Sequence, residues 1–218
     1  MHQRQLHETV ARACRLLVLG AAVLAAGTGL WRSVPPVSAG DTAAAVDESL
    51  LLGRIDVENL APDPRGGRAY RLQYVVDVPL AVYWRFKTDF DNEFLLDNRF
   101  IDEHRLIARL GDAVVTENRY SHSPGEVFRW KTIVDESAGT IDFVLLNPVQ
   151  CGQRFHYGSI RAAGLGEKSL VVQEGYFDFF GADLWAHYPW AGGMEHFLRY
   201  TAHWEQNTAV RLRSRYEK

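Results

Sequence analysis

The sequence predicts an α+β domain in which an antiparallel sheet is covered by one long C-terminal helix. Three observations carry this expectation. From Trp190 onward, Trp190, Met194, Phe197, Thr201, Trp204, Thr208 and Leu212 recur at spacings of four and three, which draws one stripe down a helix. Ahead of it, the stretch from Phe100 to Phe179 breaks into short segments of period-two alternation separated by turn-favouring clusters. The composition, 47% hydrophobic over 218 residues, fits one domain with a packed core plus a leader and not two domains.

Residues 1–39 read as a targeting segment. Arg4, Arg12 and Arg15 precede a charge-free stretch from Leu16 to Trp31, and Val37-Ser38-Ala39 supplies small residues suited to signal peptidase. At 16 residues the stretch is shorter than the ~20 that span a bilayer, which favours a cleaved signal peptide over an N-terminal membrane anchor. Either outcome sends the body outward, so the expected location is extracytoplasmic, secreted or tethered by an uncleaved helix. Four of the 24 basic residues and one of the 27 acidic ones fall in this leader, so the remainder is net acidic. A net acidic body without a Lys/Arg cluster excludes a nucleic-acid partner, whose phosphates require a basic stripe. Cys14 lies in the leader, ahead of the apolar stretch and misplaced for lipidation. Cys151 is thus alone in the body and reads as a small buried hydrophobe.

Residues 40–68 read as a linker, because Pro62-Asp63-Pro64-Arg65-Gly66-Gly67 breaks regular structure, with one short apolar element from Leu50 to Ile55. The domain is expected over residues 69–218. Tyr70, Leu72, Tyr74 and Val76 alternate with Arg71, Gln73 and Asp77, the signature of a half-buried strand. Pro79 suits the first turn of a helix, and Leu80 to Lys87 contains no breaker; a second short helix is expected from Asn92 to Asp97. Six strands follow: Phe100 to Leu110, Ala113 to His122, Val127 to Asp135, Thr140 to Asn147, Gly152 to Arg161 and Ser169 to Phe179. Connections this short make sequential neighbours pair antiparallel. One face of these strands is aromatic or apolar: Phe128, Trp130, Thr132 and Val134; Ile141, Phe143 and Leu145; Phe155 and Tyr157. A sheet apolar on one face needs a cover, which only the terminal helix is long enough to supply. Glu195, His196, Arg199, His203, Gln206, Val210 and Arg213 then face solvent.

The order strand, two short helices, six antiparallel strands, long terminal helix is that of the helix-grip fold. The segment Tyr74 to Asp89 resembles the opening of START-like (SRPBCC) domains, with Pro79, Trp84 and Asp89 in the places of that family's Pro, aromatic and Asp. The resemblance covers roughly Ala69 to Lys218. It implies a curved seven-stranded sheet wrapped around the terminal helix and enclosing a cavity for a lipid, polyketide-like or other hydrophobic small-molecule ligand. The superfamily holds carriers, cyclases, dehydratases and oxygenase subunits; the Cys-His pairs of a Rieske cluster are missing here, which removes the last branch.

On that fold the expected ligand-binding residues are Tyr74, Tyr120, Trp130, Phe143, Phe155, Tyr157, Phe177, Trp190 and Phe197. Any one of them taken singly is more simply core; the set carries the expectation. Inward tyrosines need polar partners, which a ligand or water supplies. No cofactor and no metal is expected. His196 and His203 stand seven residues apart on the helix, about 10.5 Å, too far for one ion. Nucleophile-elbow, zincin and phosphate-loop motifs are all missing, so catalytic residues are not assigned. A cyclase or dehydratase would need a buried acid or base, for which only Asn118, Glu174 and His187 are placed near a cavity. The segment Phe179 to Trp190 is dense in aromatic residues and histidine, and reads as a gate, a membrane contact or a packed loop. The favoured function is a non-catalytic carrier. The alternatives are an enzyme on the same fold and an interaction module with a closed pocket.

Overall fold

Short alternating segments joined by tight turns build an eight-stranded antiparallel sheet in the computed structural model, which describes residues 47–179 and 193–218. The chain enters through α1 (Glu48–Leu51), whose first turn is capped by the Asp47 carboxylate accepting from the Ser49 amide. Strand β1 (Ile55–Leu60) then pairs with β2 (Arg68–Val76). Helix α2 (Leu80–Lys87) starts behind Pro79 as expected and buries Val82, Tyr83, Trp84 and Phe86. A 3-10 turn at Phe94–Asp97 leads to the meander β3 (Ile101–Leu110), β4 (Ala113–Tyr120), β5 (Phe128–Asp135), β6 (Thr140–Leu145), β7 (Gln153–Leu165) and β8 (Lys168–Phe179). Helix α3 (Gly193–Arg211) and a final turn α4 (Arg213–Tyr216) close the fold.

The strand order β1-β2-β8-β7-β6-β5-β4-β3 leaves β1 and β3 as edges. The expected strand count of seven is therefore one short. The missing strand is β1, within the stretch read as linker: only Ile55 and Val57 alternate cleanly there, and a Pro/Gly-rich turn follows. That turn is itself ordered. Asp63 accepts from the Arg65 amide at 2.8 Å, and Tyr157 donates to Asp63 from β7. Gly67 adopts φ +80° where a Cβ would strike the Phe177 carbonyl.

The core lies between the inner sheet face, α2 and α3. Helix α3 packs chiefly on β1 and β2 and not over the middle of the sheet. Its buried residues are Met194, Ala202, Glu205, Thr208 and Ala209. The expected stripe is thus rotated toward a parallel line one position further along, Leu198, Ala202, Glu205 and Ala209, while Phe197, Thr201, Trp204 and Leu212 are half-buried. Of the residues assigned to solvent, Gln206 donates to the Val75 carbonyl at 2.8 Å and Arg199 to that of Ile55, so two of them bind the helix to β1 and β2.

Two glycines face each other across β7 and β8, Gly158 opposite Gly175. A Cβ on Gly158 would collide with the Glu174 carbonyl and the Phe143 ring, whereas one on Gly175 would meet nothing within 4 Å among the described residues. Gly158→Ala is accordingly expected to lower unfolding free energy by about 2 kcal/mol through overpacking, and Gly175→Ala to leave it nearly unchanged. Urea unfolding of the two variants is the measurement.

Candidate functional site

Because α3 sits toward β1 and β2, the inner face of the remaining strands is not filled by it. A cavity of about 390 Å³ lies between them. Six of the expected residues line it: Tyr74, Tyr120, Trp130, Phe143, Phe177 and Phe197. Across the sheet they join an arc in which Trp130 meets the His156 ring edge-on at 4.8 Å, His156 meets Phe177 at 5.2 Å, and Phe177 stacks on Tyr70 at 5.8 Å. Phe100 meets Phe197 at 4.9 Å from the opposite wall. Gly175 forms bare floor within this arc.

Phe155 and Tyr157 do not line the cavity. Register shifts between Gln153 and Phe155 on β7, and from Phe155 onward the inward set is His156, Gly158 and Ile160. The two aromatics point to the outer face, where Arg65 lies 4.2 Å over Phe155 and Tyr157 stacks on Tyr176 at 5.2 Å. The ordered turn, not a ligand, covers them. Trp190, His187 and most of the segment from Phe179 to Trp190 lie outside the described residues, as do residues 1–39, where a leader is expected. Glu174 is also not where a catalytic acid would be wanted: it faces outward and accepts from Arg71 at 2.9 Å.

Two polar clusters touch the cavity, and sequence reasoning found only a part of each. In the first, Glu205 of α3 is 7% exposed. Its Oε1 accepts from Tyr74 at 2.8 Å and Tyr83 at 2.6 Å, and its Oε2 pairs with the Lys87 ammonium. Burial alone would raise this carboxyl. The Lys87 charge and the three donated hydrogen bonds outweigh it and hold the group below the ordinary carboxylate value. Burial, then the Glu205 charge, pushes both tyrosines well above theirs. The signal in the sequence was Glu205 lying between Ala202 and Ala209, small residues that let the helix approach β2 closely.

In the second cluster, the Tyr120 oxygen accepts from Asn118 Nδ2 at 3.1 Å and from Trp130 Nε1 at 3.2 Å. Asn118 Oδ1 in turn faces His104 Nδ1 at 2.7 Å, and His104 Nε2 lies 3.0 Å from the Phe90 carbonyl. Asn118 thus lines the cavity as expected, holding a tyrosine. His156, also on the lining, contacts Gln153 at 3.1 Å through Nδ1, and burial pushes its imidazole down to about 3, so it is neutral across the physiological range. Cys151 packs with Phe128 and Leu145, and burial, aided by Glu126, raises its thiol to about 11, so it is no nucleophile. Among the described residues no three His, Cys, Asp or Glu side chains converge on a point that would hold a metal ion.

The sequence matches no family model and no curated protein. Solved structures do match its backbone. A protein of Thermus thermophilus superposes with a TM-score of 0.51 at 14% identity, covering 65% of this chain and 98% of its own. An aromatase/cyclase from a Streptomyces species gives 0.52 at 16% identity, covering 67% and 96%. At such identities the likeness is one of fold. The chain has the helix-grip fold of START-like (SRPBCC) domains, with one more strand than the sequence pattern counts.

The Glu205 cluster sets an acid limit on stability. A carboxyl whose folded value is depressed contributes fully above its unfolded value near 4.5, and that contribution is lost as pH falls through the folded one. Glu205→Ala is expected to cost about 3 kcal/mol at pH 7, because the Lys87 amine and the Tyr74 and Tyr83 hydroxyls all lose their buried partner. The deficit relative to the parent protein should shrink as pH is lowered below 4.5, which urea titrations across the acid range will read.

Proposed function

We propose that the protein binds a hydrophobic small molecule in this cavity and carries it without chemical change. The observation that supports the reading is the space itself: about 390 Å³, ringed by aromatic side chains, within the range of small-molecule sites. Uptake would be driven by removing apolar ligand surface from water, at ~25 cal/mol per Å². Carriage rather than catalysis fits the lining. Lys87 and Glu205 neutralise each other, His156 is a weak base, and the outward Glu174 is spent on Arg71. The leader adds the further reading of an exported protein, on the strength of its Arg residues, charge-free stretch and small-residue site.

Gly175 gives a clean test, because it lines the cavity and a Cβ added there meets nothing within 4 Å among the described residues. Titration with 1-anilinonaphthalene-8-sulfonate is expected to show saturable binding to the parent protein, and Gly175→Leu to weaken it at least tenfold with an unchanged urea midpoint. Equal binding by the two proteins would reject the cavity as the site. Native mass spectrometry of freshly purified protein should show a co-purifying adduct that Gly175→Leu lacks.

A further inference from the structure

We infer that the Gln173 carboxamide orients the ligand, so that the ligand bears a neutral group with an N–H or O–H beside a C=O, such as a lactam or a carboxamide; this rests on the cavity being a binding site. Strand alternation fixes the direction of the side chain. On β8, Glu174 turns outward to Arg71, while Val171, Gln173, Gly175 and Phe177 take the inner face. Gln173 stands between its register partners Leu72 of β2 and Ile160 of β7, and all three line the cavity. The bare floor at Gly175 lies two residues along the same strand, about 7 Å away. A guest lying on that floor is within reach of the amide.

A side-chain amide has two hydrogens to give and two lone pairs to receive. Gln173 spends none of them: among the described residues nothing bonds to its Oε1 or Nε2. Neither atom is sealed in the protein, since among the described residues the one unpartnered polar atom shut off from solvent is Asp178 Oδ2. The amide thus opens on the cavity between two aliphatic side chains that offer it nothing. Other polar groups of the lining are committed: Tyr74 donates to Glu205, Tyr120 is bonded to Asn118 and Trp130, and His156 to Gln153. A polar group that loses water without gaining a partner costs binding energy. A purely apolar guest would leave both ends of the Gln173 amide in that state. A ketone satisfies Nε2 alone, as does a carboxylate, and Oε1 then faces no hydrogen. A lactam or carboxamide gives its N–H to Oε1 and takes Nε2–H on its C=O, so the two bonds run in parallel. Turning the Gln173 amide over exchanges the two positions and keeps both. Gln173 therefore selects for the pair of groups and against either one alone.

Two matched probes test this: 2-quinolinone, a bicyclic lactam, and 1-methyl-2-quinolinone, which keeps the carbonyl, adds apolar surface and has no N–H. Displacement of 1-anilinonaphthalene-8-sulfonate reads both affinities. The parent protein is expected to bind 2-quinolinone about fivefold more tightly, against the order that apolar surface alone would give. Gln173→Met keeps the length of the side chain and removes the amide; it should reverse the order without lowering the urea midpoint. The carbonyl stretch of bound 2-quinolinone should lie at lower wavenumber in the parent protein than in Gln173→Met. A parent protein that prefers 1-methyl-2-quinolinone, or does not distinguish the two, overturns the proposal with no variant needed. So does a preference for 2-quinolinone that survives Gln173→Met, which would mean that shape rejects the added methyl group. A purely structural Gln173 would weaken both probes alike on substitution and keep their order. If the sulfonate dye binds and neither quinolinone displaces it, the role of Gln173 fails and the cavity reading stands. If the dye does not bind the parent protein, the cavity reading fails and this inference fails with it.

Discussion

A single buried carboxylate governs how the terminal helix meets the sheet. An ion taken out of water is tolerated only where its lone pairs are filled and a counter-charge is near. Glu205 obtains both from two different elements, Tyr74 on β2 and Tyr83 with Lys87 on α2. The helix therefore cannot roll or slide by a fraction of a turn without stranding the charge, whereas a purely apolar contact would allow repacking. Ala202 and Ala209 flank the carboxylate on the same line and let the helix come close enough for the bonds to form. Arg199 and Gln206 then fasten its margin to the backbone of β1 and β2.

Everything at the centre of the fold follows from that anchoring. With the helix drawn to one side, the strands from β4 to β8 have aromatic residues that it does not cover, and the void forms there. The two polar clusters stand on opposite sides of it, Tyr74 on β2 and Trp130 on β5, with β8, β7 and β6 between. They differ in character. The Glu205 group is closed, each of its tyrosine protons spent on the carboxylate. The Tyr120 group instead ties neighbouring strands together, His104 on β3 to Asn118 on β4 and Trp130 on β5 to the Tyr120 oxygen.

The sequence disclosed the architecture well and the lining unevenly, for identifiable reasons. Local rules sufficed for α2 behind Pro79 and for the meander, whose turns are written in Gly, Pro, Asn and Asp. They failed at β1, where Ile55–Leu60 pairs with the next strand across the Pro/Gly-rich turn that read as a linker, and its own alternation is broken by Glu58 and Asn59. Phe155 and Tyr157 were misplaced because a register shift at the start of β7 reverses which residues face inward, and alternation carries no record of such a shift. Their outer face looked too aromatic for solvent. It is in fact roofed by Arg65, 90 positions before Phe155, and by Asp63, 94 positions before Tyr157. Glu205 escaped notice because a helix wheel ranks hydrophobicity, and an acid on the buried side reads as noise until its partners are known. The helical stripe was offset for the same reason: Trp204 outweighs Ala202 on any hydropathy scale, yet the smaller residue is the one pressed against the sheet.

The paired glycines at the sheet centre divide two demands that most proteins place on one residue. Gly158 is required by the backbone, since any side chain there strikes its neighbours, while its partner Gly175 looks onto open space among the described residues. A lineage could thus alter the size of the accommodated guest by single-base changes in the Gly175 codon and retain the scaffold intact. Tolerance to mutation and freedom to acquire new guests meet at one position, so divergence in this protein's descendants would be read first there.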